Sequence, residues 1–175
     1  MIELTAKLVY TLHFMVEIET RTSQKLQPLE MIYDTGSGTT TIDRKLALDA
    51  GYAIKPLPLG EKIAVITGVI DSKDAGYTII PDLVLNGVHF GPVYAHVVRF
   101  DAALAQRTNA ILGMNVISWF RVTQECFWNE GLCRFDRAKL LFEPKYDIND
   151  IQSLDSFKPL ERGQRFGTVF AAVGE

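Results

Sequence analysis

Met31-Ile32-Tyr33-Asp34-Thr35-Gly36-Ser37-Gly38-Thr39-Thr40-Thr41-Ile42 decides how the rest of the chain is read. Two apolar-leaning segments meet there at a tight turn, which carries a carboxylate, a β-branched hydroxyl and a glycine in immediate succession. Such a turn presents Asp34 at a strand end, while Gly36 permits backbone geometry closed to other residues. A carboxylate delivered in this way is placed for chemistry and not for packing. The plainer reading, a turn aspartate that satisfies its own backbone, stands beside it.

Outward from the turn, residues 43–51 read as a short helix with Asp43 as N-cap and Gly51 as the stop. Further on, Ala110-Ile111-Leu112-Gly113-Met114-Asn115-Val116-Ile117 sets two apolar residues and a glycine before a second short helical segment. Roughly 75 residues separate the two motifs, enough for several strands and a hairpin.

Asp-Thr-Gly-Ser before a Thr-rich strand, the helix after it and the Ile-Leu-Gly segment together resemble the retropepsin-like aspartic proteases, the retroviral-type single-lobe branch that is also found in bacteria. The resemblance spans residues 8–143 and implies an all-β, closed barrel-like acid-protease fold with one or two short helices. It also implies an aspartic endopeptidase acting on polypeptides, with Asp34 as the catalytic carboxylate. Thr35 would bridge two active-site loops through its hydroxyl, and Gly36 and Ser37 would hold the carboxylates coplanar. Ile111, Leu112 and Gly113 would form the structural signature behind the loop, and Thr67 and Gly68 the tip of a flap, with residues 71–76 as a competing tip. Asn115 stands where many relatives have Asp, at a position that is not catalytic.

In such enzymes two carboxylates hold a water between them, one acting as base and the other stabilising the oxyanion and protonating the leaving nitrogen. One Asp cannot do both. The sequence contains a single Asp-Thr-Gly and no Asp-Ser-Gly, since Asp71-Ser72 is followed by Lys73. At about half the length of a two-lobed protease, the chain is expected to obtain its second carboxylate from another copy across a two-fold axis, as a homodimer.

Two readings from other classes compete. Residues 34–40 also resemble the first phosphate loop of sugar kinases and actin-like ATPases, although no second loop or P-loop lysine accompanies it. Alternatively, the domain is protease-like but catalytically silent, and serves as a peptide-binding or dimerising module. Gly113 could likewise be a simple helix-entry glycine.

A chain of 175 residues with 47% hydrophobic residues can bury one self-sufficient core. Residues 1–146 are expected to form the protease-like domain and the more polar 147–175 a loosely attached tail. A net charge of −3 indicates neither a nucleic-acid footprint nor attraction to anionic membranes, and the most apolar early stretch, residues 8–18, is interrupted by His13 and Glu17 and far shorter than a bilayer span. Without a basic-then-apolar leader, a cytoplasmic location is expected. No cofactor is expected, and Cys126 and Cys133 without His at ligand spacing leave a zinc site incomplete. A two-residue turn at Asn129-Glu130 would make these cysteines face each other, a three-residue turn would make them diagonal, and free thiols are expected. His13, His89 and His96 lack a matched nucleophile. Trp119, Phe120, Phe127 and Trp128 read as core or dimer-interface residues.

Most of the remaining chain reads as short strands. Residues 8–18 form one long strand, residues 29–33 the strand that delivers Asp34, and residues 52–60 an extended edge because of Pro56 and Pro58. Asn86-Gly87 makes a hairpin turn, residues 93–100 another strand, and residues 101–109 a loop or short helix.

Overall fold

The computed structural model describes residues 1–9, 13–22, 25–58 and 75–146. The expected flap residues Thr67 and Gly68 and the tail 147–175 lie outside the described residues. In chain order the strands are β1 (Ile2–Val9), β2 (His13–Arg21), β3 (Leu26–Tyr33), β4 (Thr41–Asp43), β5 (Lys55–Pro56) and β6 (Gly76–Ile80). They continue as β7 (Leu83–Leu85), β8 (Val88–Phe90), β9 (Val93–Val98), β10 (Ala110–Leu112), β11 (Phe120–Asn129) and β12 (Arg134–Pro144). The described helices are short: α1 (Arg44–Asp49), α2 (Ala102–Ala105) and α3 (Met114–Ile117), with a 3-10 turn at Glu130–Leu132. The fold is all-β, with one more short α-helix than the one or two expected.

Side-chain alternation explains the strands. In β1, Ile2, Leu4 and Ala6 are buried while Glu3, Thr5 and Lys7 are exposed, so one face of the pleat meets the core. Every residue of β9 is buried, as befits a strand covered on both faces. Phe120 anchors the core with edge-to-face contacts to Phe90 and Phe142, at centroid separations of 5.2 and 5.5 Å.

The strands pair in the order β11-β12-β1-β2-β3-β10-β4-β9-β6-β5, with β7 and β8 branching from β2. Among the described residues β11 and β5 end this path, so hydrogen bonding does not close into a ring. The long strand expected over residues 8–18 is instead the end of β1 and the start of β2, which fold back antiparallel with Val9 opposite His13. Continuous β-forming composition hides a reversal when each arm buries its own apolar face. Local signals held elsewhere: Asp43 caps α1 by accepting from the Lys45 amide at 2.8 Å, and Asn86 and Gly87 both take positive φ in the β7–β8 turn.

The feature that positions the Asp34 loop is β10. It lies between β3, which it joins in parallel, and β4, which it joins antiparallel, and those two strands are the legs of the loop. Residues remote in sequence thus fill the gap the loop has to straddle. Beyond β10 the backbone of Gly113 presses on the loop's far leg. A Cβ there would lie 2.4 Å from the Thr39 carbonyl carbon and 2.6 Å from the Thr40 nitrogen. The glycine is required by this approach, since its φ of −102° is open to any residue. One residue after α3 begins, the buried Asn115 locks the crossing: Oδ1 accepts from Thr40 N at 2.7 Å and Thr40 Oγ1 at 2.9 Å, and Nδ2 donates to Tyr94 O at 2.8 Å.

Two substitutions follow from this geometry. Gly113→Ala forces backbone against backbone and is expected to destabilise the fold by about 2–3 kcal/mol in urea unfolding. Asn115→Ala strands buried donors on Thr40 and an acceptor on Tyr94 and is expected to cost about 3 kcal/mol. Asn115→Asp restores the acceptor but meets the Tyr94 carbonyl with an oxygen. Because burial raises a carboxyl's pKa, its deficit should be smallest below about pH 4 and grow as pH rises through the ordinary carboxylate range.

Candidate active site

Asp34 follows directly on β3, and its amide donates to Leu112 O at 3.1 Å, one further rung of the β3–β10 ladder. The chain then turns on itself. Gly36 N donates to Asp34 Oδ1 at 2.8 Å and Ser37 N to Asp34 O at 3.3 Å. A Cβ on Gly36 would come within 3.1 Å of Asp34 Oδ1, so the missing side chain keeps the carboxylate in place. Ser37 Oγ donates to Thr39 O at 2.8 Å, and Met114 N donates to Ser37 O at 2.8 Å, tying the loop to the start of α3.

Thr40 connects this turn to the crossing behind it. Its hydroxyl accepts from Gly113 N at 3.2 Å while donating to Asn115, and its carbonyl accepts from His96 N at 2.9 Å. Thr41 Oγ1 donates to Thr39 O at 3.1 Å. The inner side of the loop is thus held through Ser37, the Thr39 carbonyl, Thr40 and Thr41. On the outer side, Thr35, Gly36 and Gly38 are exposed, and Asp34 is half-buried. Beside it, burial holds the Tyr33 hydroxyl above the usual tyrosine range, so that side chain remains neutral.

Of the residues singled out from the sequence, Asp34, Thr35, Gly36 and Ser37 form the turn, and Leu112 and Gly113 meet it through backbone contacts. Ile111 pairs with both Ile32 and Thr41, holding the legs of the loop. Thr67 and Gly68 lie outside the described residues. Thr40 and Asn115 were missed as positioning residues. The available signals were a threonine run inside a strand and an Asn between Met114 and Val116 in an otherwise apolar segment.

Other polar clusters lie on different elements. His89 Nδ1 and Arg21 Nε share the Asp82 carboxylate at 2.9 and 3.1 Å. A recess of about 540 Å³ lined from β1, β2 and β3, with Glu3, Lys7, Glu17 and Glu30 around it, does not include Asp34. Among the described residues no group of three or more His, Cys, Asp or Glu could hold a metal ion, and no helix is long and apolar enough to cross a membrane. Within the Asp34 turn, the amides of Gly36 and Ser37 are committed to Asp34 itself. They do not converge on an external anion as phosphate-binding nests do.

A model of the aspartyl protease family matches residues 18–116, which include the Asp34 turn, β10 and all but the last residue of α3. No curated protein matches the chain. Among solved structures, a retropepsin-like aspartic protease from Rickettsia conorii aligns with TM-score 0.47 at 15% identity, covering 78% of this chain and 90% of that one. The retroviral protease-like domain of Ddi1 from Leishmania major aligns with TM-score 0.38 at 15% identity, covering 76% and 97% respectively. The family match takes in more than half of the chain, with the loop and the strand behind it inside its bounds, and the protein belongs to the aspartyl protease family.

Proposed function

We propose that the protein is a homodimeric, retropepsin-like aspartic endopeptidase whose active site is shared between two copies of the chain. The observation that carries this reading is a carboxylate held as half of a site. Among the described residues, the hydrogen bond to the Asp34 carboxylate comes from its own turn at the Gly36 amide, and no side chain among them bonds to it. Thr35, the neighbour that would bridge two loops, is exposed. A two-fold axis beside Asp34 would bring a second carboxylate and a second Thr35 to the same place.

Two such carboxylates cannot both ionise cheaply at close range, and so hold one proton between them. The ionised one takes a proton from the bound water as its oxygen attacks the scissile carbonyl carbon. The protonated one hydrogen-bonds the developing oxyanion and then delivers its proton to the departing nitrogen as the C–N bond breaks. Gly36 N, donating to Oδ1, fixes the orientation of each carboxylate. The substrate would lie extended between the copies, bound through its main chain with side-chain selection by apolar pockets. Cys126 and Cys133, both free and exposed on the β11–β12 hairpin, have no part in this chemistry.

Digestion of a peptide library across acidic to neutral pH tests the activity. Asp34→Asn keeps an oxygen for the Gly36 amide and should fold normally while losing about 1000-fold or more of the rate. Equal inactivity of both proteins would favour a silent peptide-binding module instead. Sharing of the site is tested by titrating Asp34→Asn into a fixed amount of wild type. With free exchange between tight dimers, one equivalent should lower activity to about half and three equivalents to about a quarter. Activity indifferent to the mutant after verified exchange would assign Asp34 a different partner.

A further inference from the structure

The β11–β12 hairpin is longer than the core beneath it. Phe120 and Val122 pack on the core, but residues 123–128 are all exposed, and β11 ends the sheet with its outer edge unpaired among the described residues. The turn is neither of the two expected from the sequence. Asn129 pairs with Arg134 around the 3-10 turn at Glu130–Leu132 and a left-handed Cys133, so Cys126 faces Ala138 and the cysteines are not opposed. Asn129 sets this geometry: its Oδ1 accepts from Leu132 N at 3.1 Å, and its Nδ2 donates to Asp136 Oδ2 at 2.7 Å. The tip is built, and it displays apolar groups. Phe127 is 41% exposed, Trp128 55%, Leu132 54% and Phe135 46%, and Trp128 and Phe135 stack edge to face at 5.2 Å.

Register shows where this tip stands. Ile32 of β3 lies opposite Met15 of β2, Met15 opposite Lys7 of β1, Lys7 opposite Arg137 of β12, and Arg137 opposite Phe127 of β11. Phe127 therefore shares a row with Ile32, and the same pairing continued two residues, across the register shift after Phe127, brings Phe135 and Trp128 to the row of Asp34. The aromatic tip occupies the same end of the sheet as the Asp34 turn, four strand spacings away, or about 19 Å. A dimer that joins two Asp34 loops must meet at this end. A standard interface buries about 800 Å² per partner, a disc roughly 32 Å across, so one that includes Asp34 off-centre also spans the tip. The four side chains together expose roughly 400 Å² of apolar surface, of the size that often marks an interaction site.

We propose that the tip of the β11–β12 hairpin, through Phe127, Trp128, Leu132 and Phe135, docks on a second copy of this chain and holds the two Asp34 loops together. The inference rests on the shared-site reading above and adds the surface that assembles it. The hairpin acts as an arm, and its Asn129–Asp136 lock presents the apolar groups in one conformation, lowering the ordering cost of association.

Sedimentation equilibrium of the full chain gives the test. Wild type should dimerise, and Trp128→Ser with Phe135→Ser should raise the dimer dissociation constant by at least about tenfold. Leu132→Asp leaves the ring pair intact and should do the same, which separates docking from the hairpin's own packing. Activity of both variants should recover at high protein concentration. In a Trp119→Phe background, Trp128 emission should shift to the blue as concentration rises through the dimerisation range. A wild-type dimer that neither variant weakens, or whose Trp128 emission does not move, overturns the proposal and assigns the tip to another partner, leaving the shared site standing. A chain that stays monomeric while cleaving peptides overturns both.

Discussion

The close passage of Gly113 behind Thr39 and Thr40 is the constraint on which the rest of the site depends. A loop that leaves β3 and returns as β4 must straddle β10, so its two legs are about 10 Å apart and its turn has no sheet partner of its own. Left alone, such a turn would sample many conformations. The Gly113 backbone against its far leg, together with Asp34 N on Leu112 O and Met114 N on Ser37 O, removes that freedom. Any side chain at residue 113 would have to displace main chain and not a mobile side chain, and close-packed interiors do not yield in that way.

Asn115 completes this arrangement with its chemistry as much as its size. The Thr40 amide and hydroxyl both require an acceptor, and the Tyr94 carbonyl requires a donor, all in a site sealed from water. A carboxamide offers both on one planar group, whereas a carboxylate offers only acceptors. The residue ties β9, the loop and α3 into one unit. It thereby transmits the rigidity of the fully buried β9 to a half-buried carboxylate at the surface. A position that resemblance alone leaves unremarkable thus sets the orientation of the whole turn.

Rigidity on the inner side and exposure on the outer side suit a site finished by association. Donors that face the interior are spent on the chain itself, while Asp34 and Thr35 are presented outward at the end of a sheet. The hairpin of β11 and β12 extends the sheet toward that same end, where its aromatic side chains lack cover. The Asp34 turn and the apolar hairpin tip are therefore brought to one end by a single register, set by the successive pairings from β3 to β11.

Local chemistry was legible in the sequence by itself: the Asp34 turn, the Asp43 cap, the Gly51 stop, the Asn86-Gly87 hairpin and the Ile111-Leu112-Gly113 segment. The turns, the cap and the stop depend on backbone preferences and hydrogen bonds within a few residues. The Ile111-Leu112-Gly113 segment was legible through its resemblance to a family motif, its glycine being required by a contact with Thr39 and Thr40 that is remote in sequence. The sequence also declared an all-β chain, because alternation of apolar and polar residues survives in any arrangement that buries one face. Only the tertiary structure decided that β10 enters between β3 and β4, that residues 8–18 divide between two strands, and that Asn115 serves Thr40 and Tyr94. No glycine, proline or asparagine marks the reversal between Val9 and His13. The Asn129 turn depends on a side-chain bond to Asp136 on the opposite strand. In each case the deciding interaction joins residues whose adjacency exists only after the chain has folded, and burial selects among partners that local propensity leaves equivalent.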